Sequence, residues 1–163
     1  MIFWLLGICA CGDALVTEPT GPTEPNRCGP SEAFVERVID GDTVELAGGE
    51  RVRYLLIDTP ESTSSTECFG PEATTFNRLL VEGQEVELEY DDECRDRFGR
   101  LLAYVRVGDR EVNALMVERG FACVLHIPPN GQARVDSYED LEAQAQYDDR
   151  GLWGACEERP CGN

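Results

Sequence analysis

Three short stretches carry residue types suited to chemistry. Asp40-Gly41-Asp42, inside 38–44 (VIDGDTV), puts two carboxylates at the end of a strand-like run. Arg53 lies in the apolar run 53–61 (RYLLIDTPE), whose exit brings Asp58 and Glu61. Arg97 and Arg100 stand on either side of a glycine in 96–100 (DRFGR). Carboxylate oxygens are hard donors that suit Ca²⁺ or Mg²⁺. The planar guanidinium fork binds two phosphate oxygens at once. Carboxylates, a cation and arginines together are the components of phosphoryl transfer. Each stretch alone has a plainer reading. Asp-Gly-Asp is a common turn. Arg53 could pair with a neighbouring glutamate, and Arg97 and Arg100 could balance Asp91, Asp92, Glu93 and Asp96. The order and spacing of all three together is what points to a site.

Strand-like runs and turn signals lie around these stretches. Residues 33–39 (AFVERVI) have strand composition and run into the Asp-Gly-Asp turn. Residues 43–46 (TVEL) alternate, and 47–50 (AGGE) make a hairpin turn toward a third strand, 51–57 (RVRYLLI). Pro71 opens a helix that ends at Gly83, with Ala73, Phe76, Leu79 and Leu80 as its apolar face. Residues 85–90 (EVELEY) alternate strictly and 101–107 (LLAYVRV) are apolar, which predicts strands four and five. A short helix over 111–119 stops at Gly120; 121–127 is extended and takes in His126; a last helix covers 136–149, with Trp153 as a core plug beyond it. Five short strands with helices between and after them suit an α+β domain dominated by a five-stranded OB-type barrel with three packed helices.

The chain has 163 residues, with 14 Lys+Arg against 32 Asp+Glu and a formal charge of −18. None of the basic residues is lysine. So acidic a surface repels polyanions, so any nucleic-acid site has to be a local arginine patch helped by a bound cation. Residues 1–11 (MIFWLLGICAC) are apolar but far short of the roughly 20 residues of a membrane span, and read as an export leader. Ile8-Cys9-Ala10-Cys11 resembles a lipidation box, which makes Cys11 a candidate lipidation site; plain secretion is the other reading. Residues 12–32 are rich in Gly, Pro, Thr and Glu and read as a flexible tether. The folded domain is expected over 33–156, with 157–163 as a tail. Six cysteines follow the leader: Cys28, Cys68, Cys94, Cys123, Cys156 and Cys161. In an exported chain an even count favours disulfides, and six allow 15 pairings. No C-x-x-C occurs and the only histidine is His126, so zinc is a poor alternative.

The motifs IDGDTV, R-x-L-L-x-D-T-P-E, FGPEA, DRFGR-x-L-A-Y, VNAL and GLW run in order from about Val35 to Trp153. As a set they resemble the thermonuclease (staphylococcal nuclease-like) family. The resemblance implies a Ca²⁺-dependent nuclease that cuts DNA and RNA as a monomer and leaves 3′-phosphate ends. It implies Asp42 and Asp58 as carboxylate ligands of Ca²⁺, with the Thr59 carbonyl beside them and Asp40 supporting that loop. Glu61 would orient or deprotonate the attacking water. Arg53 and Arg100 would hold the phosphate, and Arg97 and Phe98 would contact substrate. This chain departs from the pattern at Leu125 and Ile127, which stand where the family's enzyme has tyrosines, and in the uncharged loop 62–66. In the family the loops bearing Cys68 and Cys94 approach each other. That implies a Cys68–Cys94 bridge, worth on the order of 3 kcal/mol in the chain-entropy view, with Cys123–Cys156 and Cys28–Cys161 left over. Two rival readings are a non-cutting nucleic-acid-binding module of the same fold and an acidic surface lipoprotein that binds Ca²⁺.

Overall fold

A computed structural model describes residues 28–63, 66–158 and 160–161. The expected leader, Cys11 and most of the tether lie outside them. Strand β1 (Glu32–Asp40) pairs antiparallel with β2 (Thr43–Leu46), and β2 with β3 (Arg51–Tyr54). β1 is long because it serves two neighbours. Its first residues pair with β5 (Glu85–Glu89) and the rest with β2. Two register shifts in the β1–β2 ladder bend it, as bulges do. β5 pairs with β6 (Leu101–Val107), and β6 pairs in parallel with β3. That last pairing closes a five-stranded barrel and removes its open edges. Its interior holds Val35, Val44, Val52, Leu101, Ala103 and Val105, all fully buried.

The expected third strand is broken. Tyr54 ends β3, Leu56 takes a left-handed φ of 63°, and the chain resumes as β4 (Ile57–Asp58). β4 leaves the barrel to pair with β8 (Cys123–Val124), which is all that is strand in the expected 121–127 run; His126 lies outside it. β7 (Arg110–Glu111) extends the β6 edge. Buried Asn113, in helix α2 (Val112–Glu118), secures the break. Its side-chain amide donates to the carbonyls of Leu55 and Ala103, and its Oδ1 accepts the Val105 N–H at 2.9 Å.

Helix α1 (Gly70–Val81) starts with Pro in its first turn, as expected. Its inner face is more polar than the sequence suggests. Gly70, Ala73, Thr74, Asn77 and Val81 are buried, whereas Leu79 is 76% exposed. The buried stripe follows the helical period and turns Leu79 to the outside. Asn77 accepts the Tyr54 hydroxyl and donates to the Asp40 carbonyl, so this face supports the Asp turn. Helices α3 (Val135–Tyr147) and α4 (Leu152–Ala155) close the other side. Leu152 is the fully buried plug there, with Trp153 half-buried beside it. No described helix is long and apolar enough to cross a membrane.

All six cysteines are in disulfides, but not in the expected pairs. The bridges are Cys28–Cys94, Cys68–Cys156 and Cys123–Cys161, which replace Cys68–Cys94 and both leftover pairings. Segment 28–31 runs beside the end of β5, where Ser31 accepts the Leu88 N–H and Pro30 accepts the Tyr90 hydroxyl. That carries Cys28 to Cys94 and leaves Cys68, at the start of α1, facing the end of α4. Cys161 is buried, so disulfides tie down the first and the last of the described residues. Asn113→Ala leaves the Val105 N–H and the Leu55 carbonyl without this partner. It should lower stability by about 2–4 kcal/mol in urea denaturation; a loss within experimental scatter would mean that the break does not depend on this amide.

Candidate active site

The Asp turn is built for close approach. A Cβ on Gly41 would come within 2.7 Å of three side-chain atoms of Thr59, so only glycine lets the two segments meet. The contact is made by Asp42, which is 5% exposed. Its Oδ2 accepts the Thr59 N–H at 3.0 Å and the Thr59 hydroxyl at 3.1 Å, and its Oδ1 accepts the Thr43 hydroxyl at 3.0 Å. The Asp42 N–H donates in turn to Asp40 Oδ1.

Arg53, from β3, clasps both sides of this turn. Nη1 pairs with Asp42 Oδ2 and Nη2 with Asp58 Oδ1, each at 2.9 Å. Nη1 also donates to the carbonyls of Ile57 and Tyr54, which the strand break turns toward it. Three carboxylates therefore crowd one guanidinium. Burial first, and then the neighbouring Asp42 charge, push the Asp40 carboxyl up from 3.8 to about 7. The excess negative charge and the all-oxygen donor set fit a hard divalent cation held by Asp42 and Asp58, with Thr59 beside them. Among the described residues no three His, Cys, Asp or Glu side chains gather closely enough to hold a metal ion by themselves. Backbone carbonyls and water would have to complete the shell, which is how calcium sites are commonly filled.

Arg100 reaches the same pocket from a tight loop organised by Asp96. Asp96 Oδ1 accepts the N–H groups of Phe98 and Arg100, and Oδ2 accepts Arg100 Nε at 2.6 Å. Burial acts to raise the Asp96 carboxyl, but these donors outweigh it and hold it below the ordinary carboxylate range. Gly99, at φ 82°, lets the loop turn back. Phe98 stands at its tip, 69% exposed, with Arg97 and Arg100 4.7 and 5.5 Å from its ring centre. Arg53, Arg97, Phe98 and Arg100 line a pocket of about 550 Å³, and Leu125 and Ile127 add aliphatic surface to it.

Glu61 lies on the exposed loop that follows Thr59, outside the pocket lining. Its backbone is fixed. The Glu61 N–H donates to Glu67 Oε2, and the Glu67 N–H returns to the Glu61 carbonyl, both at 2.9 Å. A Cβ on Gly70 would strike that carbonyl at 2.3 Å, so α1 can start directly beneath the loop only with glycine there. Ser62 and Thr74 share a hydrogen bond, and the Cys68–Cys156 bridge anchors the loop's far end.

The family model for staphylococcal nuclease homologues matches residues 51–155. The chain belongs to that family. Similar family members include the thermonuclease of Staphylococcus intermedius, 37% identical over 126 residues, which are 74% of this chain and 74% of that protein. The thermonuclease of Staphylococcus hyicus is 34% identical over 125 residues, covering 73% of each chain. Endonuclease YncB of Bacillus subtilis is 35% identical over 126 residues, 73% of this chain but 60% of that longer protein.

In this member of the family, Arg53, Asp42, Asp58 and Thr59 are drawn into direct contact, Asp40 supports them, and Arg100, Arg97 and Phe98 share the pocket with Arg53. Sequence reasoning missed Asp96 and Gly70. Asp96 was legible as the first residue of an Asx turn closed by glycine. Nothing near Gly70 signals the backbone it must admit, because Glu61 arrives from a separate segment. The Asp40 shift has a measurable sign. The folded carboxyl keeps its proton up to about 7 while the unfolded one loses it near 3.8. The folded state therefore binds more protons in that window, and metal-free stability falls as pH rises through it. Denaturant melts in chelator should show this fall, and Asp40→Asn should flatten it; equal slopes for both proteins would contradict the assignment.

Proposed function

We propose that this chain is an exported nuclease that hydrolyses phosphodiester bonds of DNA and RNA with the help of Ca²⁺. The observation that carries the reading is that Arg53 and Arg100 face one pocket from separate elements, while Arg53 also clasps the two candidate metal ligands. The relatives' names, thermonuclease and endonuclease, agree with it. In this reading Arg53 and Arg100 donate to the phosphate oxygens and stabilise the charge that grows on them. Glu61 holds the attacking water and takes its proton. The new P–O bond forms as the bond to the 5′ oxygen breaks; that oxygen takes up a proton, and the phosphate stays on the 3′ side. Asp42 and Asp58 would hold the Ca²⁺, which when bound would supply charge neutralisation at the phosphate. It also offsets the repulsion between a polyanion and a chain of net charge −18. Three disulfides, together with the apolar leader, support export to an oxidising compartment, with Cys11 as a candidate lipid tether.

Purified protein should degrade plasmid and RNA in Ca²⁺ and stop in chelator, leaving 3′-phosphate ends by end-group analysis. Intact substrate in every metal and salt condition would sink the reading. Glu61→Gln should lower turnover by about 10²–10⁴-fold while calorimetry shows Ca²⁺ still bound. Near-unchanged turnover would remove Glu61 from the role of base.

A further inference from the structure

Phe98 lines two pockets. One is the pocket lined by Arg53, Arg100 and Leu125. The other, of about 830 Å³, lies between the β2–β3 turn and the Asp96 loop, and Glu50, Arg51, Phe98 and Arg100 help to line it. Both volumes fall in the usual range for small-ligand pockets. Phe98 and Arg100 belong to both, so anything bound in one touches the same residues as anything bound in the other.

The second pocket is locally cationic in an acidic protein. Its carboxylate, Glu50, is paired with Arg95 at 2.5 Å. Arg51 is 53% exposed and, among the described residues, pairs only through Nε, at 3.4 Å, with Glu45. Glu45 is already held by Arg37 at 2.8 Å, so one carboxylate serves two arginines and this group of three keeps one positive charge in excess. Among the described contacts the two terminal nitrogens of Arg51 have no partner. Gly48 and Gly49, both at positive φ, have nothing within 4 Å of a Cβ position, so the backbone there is open to a ligand.

We propose that this second pocket is a nucleotide subsite for the residue next to the one in the first pocket, on the same single strand. The proposal rests on the nuclease reading above. Arg51 takes the phosphate of that nucleotide, and the exposed ring of Phe98, which borders both pockets, stacks against a base. An exposed ring can be stacked only by an unpaired base, so the subsite favours single strands. Asp96 fixes the backbone of Phe98 beforehand, so little ordering is needed when a base stacks on it.

The test compares kcat/KM for a chromogenic phosphodiester carrying one nucleotide with values for single-stranded oligonucleotides lengthened at either end, in Ca²⁺. Extension at one end should raise kcat/KM. Arg51→Ala should remove about 10-fold of that gain through KM and leave the one-nucleotide substrate unchanged, and Arg51→Glu should remove more. Equal effects on both substrates, or no gain with length, would overturn the subsite. Anisotropy of a labelled oligonucleotide reads it without cleavage. Weaker binding and a smaller salt slope in Arg51→Ala support it, and unchanged binding rejects it. Wild-type protein that binds in this Arg51-dependent way but does not cut would sink only the nuclease reading.

Discussion

The clasp of Arg53 on Asp42 and Asp58 is the interaction on which the site depends. It joins three segments: the turn after β1, strand β3 and the short β4. Partly buried carboxylates need a counter-charge, and removing the guanidinium would leave them uncompensated. The barrel meets this need by breaking a strand. The turn at Leu56 takes the chain out of the sheet, directs two carbonyls at Arg53 and brings Asp58 round to it. Asn113 satisfies the backbone groups that the break leaves open in the interior.

A second organising group is Asp96. One carboxylate fixes two backbone amides and the Arg100 side chain, so loop shape and arginine direction are set together. The consequence reaches beyond Arg100. Phe98 is carried at the tip of a turn held by these bonds, exposed yet placed, which suits a surface that meets a flexible strand.

Charge is the apparent contradiction of this protein. A chain at −18 is a poor partner for nucleic acid at long range. The fold answers locally. Most arginines are paired with carboxylates, whereas Arg97 and Arg51 keep donors available around Phe98. Favourable contact is thus available around Phe98, and a divalent cation beside Asp42 and Asp58 would extend it to the reacting phosphate.

The sequence alone determined the family, the five barrel strands and the residues of the Arg–Asp clasp, because these depend on short motifs and local periodicity. It placed Pro71 at the start of α1 and glycine in the Asp turn for the same reason. Only the tertiary structure decided the cysteine partners, since bridges 38 to 88 residues apart depend on where loops land rather than on spacing. It also decided the break at Leu56, where an apolar run without glycine or proline hides a left-handed turn, and the outward face of Leu79. Gly70 and the second pocket beside Phe98 belong to the same class. Each is defined by segments that meet through space, and no window of sequence contains both sides of such a contact.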